Sequence, residues 1–232
     1  MNNYGNTLLA EMPHVLEGNN NYGSSIFLRY KHRLDSTEEK VGLKVGVEVN
    51  LALDVASTQF FDGKNYHLTT QGKSYTSSEF VKYINTVVSN QPIISIEDPF
   101  AEDDWLPWQA FMQECPKKLQ VLGDDLLTTN LTRLNKAIAE KSANAILIKA
   151  NQNGLVSATL NVLKQARANN FNTVVSARSG ENEDSWLADL ATGWGAGQIK
   201  VGSTHGSERN AKWNRLLELE ATEKTKFVNP FA

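Results

Sequence analysis

The sequence predicts an α/β fold built on parallel strands: a (βα) TIM-type barrel, incomplete or irregularly closed at its N-terminal strands. An open doubly wound sheet is the alternative. Three observations lead there. Short apolar runs rich in Val, Ile and Leu recur at steps of roughly 25 residues after a longer first step, the length of one strand plus one helix. Each run stops at a polar or charged residue. The segments between them carry helical periodicity.

The runs are LALD ending at Asp54, IISIE ending at Glu97, LQVLGD ending at Asp124, AILIK ending at Lys149, TVVSAR ending at Arg178, and GQIK ending at Lys200. Between the first two, Thr76 and Glu79 form a capping-box signature ahead of Phe80, Val81 and Ile84. Further on, Leu155, Ala158, Val162, Leu163 and Ala166 trace one apolar helix face. A complete eight-stranded barrel takes about 250 residues, and only six strand ends are evident. Residues 1–45, rich in Asn and Gly, read as an irregular segment, 46–225 as the barrel and 226–232 as a tail. An unclosed barrel exposes strand edges, so an oligomer contact or an N-terminal plug is expected to cover them.

With 232 residues, 41% hydrophobic, and a formal net charge of -3, the composition is that of a globular chain without the charge imbalance of a nucleic-acid or anionic-membrane binder. The basic cluster Arg29 to Arg33 reads as solvated. A single cysteine, Cys115, without a metal-binding or redox neighbour suits a reducing, cytoplasmic setting. No targeting segment or apolar run of spanning length is found in the sequence.

The strand ends carry the chemistry. Asp54, Glu97 and Asp124 close three successive strands, and in a barrel they converge at its mouth. Three oxygen ligands without paired His or Cys describe a site for a hard cation, Mg²⁺ before Zn²⁺. The next three ends are cationic: Lys149, Arg178 and Lys200. A partly desolvated lysine beside a metal is a candidate general base, and Arg178 with Ser179 suits a phosphate or carboxylate. Opposed charges across one mouth imply an anionic substrate, or else simple ion pairing between the two sets. If the strands alternate, Asp98 and Asp125 point away from the site.

The segments SIEDPFAEDDW (95–105), VLGDDLLTTN (121–130), ILIKANQNG (146–154), VSARSGENED (175–184) and GQIKVGS (197–203), followed by SER (207–209) and AKWN (211–214), closely resemble the C-terminal barrel of enolase, the phosphopyruvate hydratase of glycolysis. The likeness runs from about residue 41 to about 220. It implies that Asp54, Glu97 and Asp124 bind the catalytic Mg²⁺ and that Lys149 removes the proton beside the substrate carboxylate. It also implies that Arg178 and Ser179 hold the phosphate of 2-phosphoglycerate or a similar small acid, while Lys200 binds the carboxylate and lowers the pKa of Lys149. A Lys base working beside Mg²⁺ is the general pattern of the superfamily.

Two departures bear on activity. Ala177 stands where the resembling motif, SHRSG, carries a histidine near the leaving hydroxyl. The capping domain and the general-acid glutamates have no counterpart in this sequence; the nearest spacing, Tyr22 to Phe27, holds no carboxylate. The expectation is an enolase-like lyase of weak activity. The alternative is an inactive pseudo-enolase that binds Mg²⁺ and phosphorylated acids, or a protein partner. A homo-oligomer follows only from the resemblance. Of the remaining candidates, Glu181, Glu183 and Asp184 read as first-turn acids of a helix. His205 reads as a loop residue able in principle to replace the missing imidazole, and Trp105, Trp108, Trp186, Trp194 and Trp213 read as core.

Overall fold

The computed structural model describes residues 8–12, 49–223, 225 and 228–231. Most of residues 1–45, including the basic cluster and the Tyr22 to Phe27 stretch, lies outside the described residues, as does part of the C-terminal tail. The chain forms two compact units, 1–121 and 122–232.

In the first unit, β1 (Leu8–Met12), β2 (Val49–Asp54) and β5 (Ile93–Glu97) form a parallel ladder. The Asn-rich beginning of the chain therefore contributes a strand where local composition reads as loop, because pairing with β2 satisfies its backbone. The long first interval is filled by an antiparallel hairpin, β3 (Asn65–Leu68) and β4 (Lys73–Thr76), turned through Gly72 at φ +61°. Helix α1 (Ser77–Asn90) follows. Its start carries the complete capping box: the Thr76 hydroxyl accepts from Glu79 N–H, and the Glu79 carboxylate accepts from Thr76 N–H at 2.9 Å. Helix α2 (Trp105–Glu114) completes the unit.

The hairpin places Tyr66 in an aromatic core. Tyr66 stacks on Phe80 with centroids 4.3 Å apart, while Phe100 meets Trp108 and Phe111 edge to face. All five rings are buried. The Tyr66 hydroxyl donates to Asp104 Oδ2 at 2.9 Å and accepts from Ala101 N–H at 3.0 Å, so the core pins the loop that follows β5.

In the second unit, β6 (Gln120–Gly123), which begins at the end of the first, pairs in parallel with β7 (Ala145–Ile148), then β8 (Asn172–Ser176) and β9 (Gly197–Lys200). Helices α3 (Leu131–Glu140), α4 (Ala150–Asn153), α5 (Val156–Ala168), α6 (Trp186–Gly193) and α7 (Ser207–Thr222) connect or follow these strands. The expected apolar face of α5 buries Val162, Leu163 and Ala166, while Leu155 is its exposed cap. Cross-strand register puts Leu122, Ala145, Leu147 and Val174 on one sheet face, where they form a buried apolar cluster.

The tryptophans do not behave as one class. Trp108 is fully buried, whereas Trp186 is 43% exposed. In α7 the buried residue is Lys212 rather than Trp213. Glu181, Glu183 and Asp184 are also not first-turn acids, because α6 starts after its cap at Ser185 and its first-turn acid is Asp189. Glu181 instead pairs with Lys212 at 2.9 Å, and Glu183 accepts from the Ser207 hydroxyl.

Candidate functional site

In the first unit, the expected ligands Asp54 and Glu97 are direct partners in the β2–β5 register. The pairs Ala52 with Ser95 and Asp54 with Glu97 share one face, and Leu53 with Ile96 takes the other. Asp54 is half-buried and Glu97 is 5% exposed, so both carboxylates sit at the ends of their strands in a partly desolvated setting. The loops beyond the two strands are zipped together. Val55 N–H donates to Glu97 O at 2.9 Å, Ser57 N–H to Asp98 O at 3.2 Å, and the Ser57 hydroxyl to Pro99 O at 2.8 Å.

Asp98 departs from strand alternation. It is buried and adopts φ +40°, a left-handed conformation that a non-glycine residue holds only where its surroundings impose it. Strand alternation does not set its direction, since the strand has already ended at Glu97.

In the second unit, Asp124 follows β6 and Lys149 follows β7. The Lys149 ammonium is ion-paired with Asp124 Oδ2, with side chains 12% and 13% exposed. Gln152 Nε2 donates to the other Asp124 oxygen at 3.4 Å. Thr129 braces this corner: its hydroxyl accepts from Lys149 N–H at 3.0 Å and donates to Gln152 Oε1 at 2.8 Å. Thr128 and Thr129 are both left-handed, at φ +47° and +48°. For a β-branched residue that is a strained backbone, here held beside the ion pair it supports.

Asp125 belongs to the same charge field. Burial raises its carboxyl pKa, the neighbouring Asp124 charge raises it further, and the Lys149 and Arg178 cations oppose both. Alternation had directed Asp125 away from these groups, but the strand stops at Gly123.

Arg178 and Ser179 lie in an exposed loop beyond β8. Arg178 Nη1 donates to Asn151 Oδ1 at 3.2 Å. Lys200 closes β9 as the register partner of Ser176, so one strand separates it from the end of β7 that carries Lys149. Burial lowers the Lys200 pKa from its usual 10.5 to about 8. Ala177 is buried, and its N–H donates to Lys200 O at 2.9 Å. His205 is exposed in the loop between β9 and α7.

Comparison with known proteins decides the family. A family model described as "Enolase, C-terminal TIM barrel domain" matches residues 32–228, most of the chain. The chain belongs to the enolase family. It is 49% identical over 183 residues to proteins named "Enolase" from Helicobacter pylori strains P12 and HPAG1, and 48% identical to that of strain ATCC 700392 / 26695. Each match covers 78% of this chain and 43% of the relative, so the chain spans less than half the length of these curated enolases. The fold is accordingly an enolase-family TIM-type barrel domain, and the parallel strands described number seven against the eight of a complete barrel. Among the described residues, no helix is long and apolar enough to cross a membrane.

Several residues that brace the candidate site carry no signal in the sequence. Thr129, Gln152 and Asn151 are polar residues in loops or short helices, where periodicity carries no signal. Arg209 and Lys212 were visible only as letters of the SER and AKWN segments, and nothing local marks a lysine of an amphipathic helix for burial.

Proposed function

We propose that this chain carries the base and anion-binding side of an enolase-type reaction: Mg²⁺-dependent abstraction of the proton beside the carboxylate of 2-phosphoglycerate or a similar small phosphorylated acid. The observation that carries the reading is the Lys149–Asp124 pair at the ends of neighbouring strands, in a unit that also presents Lys200 at the end of β9 and Arg178 and Ser179 beyond β8. By the family resemblance, Asp54, Glu97 and Asp124 would hold the metal. The donor chemistry fits, since carboxylate oxygens suit a hard divalent ion. When bound, the ion supplies positive charge that offsets the negative charge developing on the substrate.

Lys149, as the free amine, takes the proton: a new N–H bond forms at Nζ, and the C–H electron pair remains with the substrate, delocalised toward its carboxylate. Arg178 and Ser179 bind the phosphate, Arg178 through its planar fork. Lys200 holds the carboxylate. The complete elimination of the relatives is part of the proposal, and we expect it to be slow, because Ala177 presents no imidazole where the resembling motif carries histidine. The same buried alanine favours a second reading, a pseudo-enolase that binds Mg²⁺ and phosphorylated acids without turnover. A cytoplasmic, self-associating protein fits either reading.

Purified protein with Mg²⁺ and 2-phosphoglycerate in deuterated water separates them. The expected result is slow α-proton exchange, reduced roughly 10² to 10⁴-fold in Lys149→Ala, with little phosphoenolpyruvate. Binding without exchange supports the pseudo-enolase. Exchange that survives Lys149→Ala removes the assigned base.

A further inference from the structure

We propose that Arg209 and Lys212 of α7 are positioning residues for the Arg178–Ser179 loop, fixing its backbone so that it can hold a phosphate. The inference deepens the enolase-type reading and rests on it for the identity of the anion. Its geometric basis lies wholly within the second unit.

The loop from Ala177 to Ser185 leaves β8 without regular structure, and two side chains of α7 bond to it. Arg209 Nη1 donates to Arg178 O at 2.8 Å and to Val201 O at 3.0 Å, while its Nη2 donates to Ser179 O at 2.8 Å. One guanidinium thus binds the carbonyls of both proposed phosphate-binding residues and ties them to the segment following β9. A planar fork spans two adjacent carbonyls in a way that an ammonium, with its single nitrogen, does not. Beside this guanidinium, Gly202 sits at φ +98°, a backbone conformation that side-chain-bearing residues rarely adopt.

Lys212 supplies the second anchor. It is fully buried, a rare state for lysine unless the ammonium is partnered. Its Nζ donates to Asn182 O at 2.6 Å and pairs with Glu181 at 2.9 Å. Glu181 Oε1 in turn accepts from Arg178 N–H at 2.7 Å. Burial pushes the Glu181 carboxyl up, but the hydrogen bond from Arg178 and the Lys212 cation outweigh it and hold it below its usual range. The chain of contacts therefore runs from Lys212 through Glu181 to the amide of the arginine that would meet the phosphate.

The physical consequence is preorganisation. An exposed loop must lose backbone freedom to bind an anion, and here two cations of a neighbouring helix have already imposed that order. Arg209 also fixes which way the carbonyls of Arg178 and Ser179 point, toward α7, so these negative dipole ends are occupied by its guanidinium before any anion arrives. Arg209 and Lys212 are three residues apart, on one helix face.

The test uses the full chain with Arg209→Gln, Arg209→Lys and, because Lys212→Met leaves Glu181 without its cation, the compensated pair Glu181→Gln with Lys212→Met. Hydrogen exchange without ligand reads the clamp directly. Loop amides between residues 178 and 184 should exchange roughly tenfold faster in Arg209→Gln, with β7 and β8 unchanged. Unchanged loop exchange in both Arg209→Gln and the double variant overturns the clamp, whatever the protein binds. With Mg²⁺, Kd for 2-phosphoglycerate should rise roughly tenfold or more in Arg209→Gln and be only partly restored in Arg209→Lys, while α-proton exchange at saturation and Mg²⁺ affinity stay within about twofold. A loosened loop with wild-type 2-phosphoglycerate affinity overturns the positioning role and leaves the functional reading standing. A wild type that binds inorganic phosphate but not 2-phosphoglycerate sinks the substrate assignment alone, and the variants are then compared on phosphate. A wild type that binds neither overturns both.

Discussion

Lys200 offers a sharp test, because the same burial that suits it to hold a substrate anion should make it costly to the fold. Its pKa is lowered from 10.5 to about 8 with desolvation as the cause. A cation whose folded pKa is depressed favours the neutral form on folding, so below about pH 8 the folded protein bears the full penalty of a buried ammonium. That penalty is relieved as pH rises from about 8 to 10.5, where the unfolded chain still binds a proton that the folded chain has released. The shift corresponds to about 3 kcal/mol, at 1.36 kcal/mol per unit. Lys200→Met keeps most of the apolar stem and removes the charge. Chemical denaturation of both proteins at a series of pH values from 7 to 10.5 gives the difference directly, and other titrating groups cancel between them. The variant should gain about 2 to 3 kcal/mol at pH 7, with the gain shrinking across the titration window. It should also bind 2-phosphoglycerate more weakly. A stability difference that is flat with pH would show that desolvation of this ammonium is not what the fold opposes.

Other perturbations probe the supports of the site. Gly123→Ala puts a Cβ 2.7 Å from Cγ of the buried Leu127, so something must shift, and should cost about 1 to 3 kcal/mol by urea denaturation. Thr129→Val preserves shape but deprives Lys149 N–H of its acceptor and Gln152 of its donor. It should cost about 1 to 3 kcal/mol and slow α-proton exchange, whereas unchanged stability would mean the strained corner does not depend on the hydroxyl. Tyr66→Phe orphans Ala101 N–H and removes one donor from Asp104, for an expected loss of about 1 to 2 kcal/mol in thermal or chemical unfolding.

Much of this protein was legible along the chain. Strand positions follow from apolar runs whose backbone must be buried in a ladder, and the charged residue that ends each run marks where the strand emerges. That is why Asp54, Glu97, Lys149 and Lys200 were assigned to strand ends, and why Thr76 and Glu79 marked the start of α1: each rests on interactions within a few residues. The family resemblance then attached chemistry to those positions, and the family match bears out the kinship and the barrel fold.

Contacts between distant segments were not legible. The strand at Leu8–Met12 pairs with β2 although the sequence around it is rich in Asn and Gly. Asp98 and Asp125 depart from the alternation rule because their strands end one or two residues earlier, at points the neighbouring loops determine. Glu181 is the partner of a buried lysine 31 positions along the chain rather than a first-turn acid of a helix, and for that lysine the loop supplies both a carboxylate and a carbonyl. Periodicity reports which face of an element is apolar. It carries no information on which polar group has a partner waiting in the interior, and in this chain that tertiary fact decides which charges can be buried and which loops are held in place.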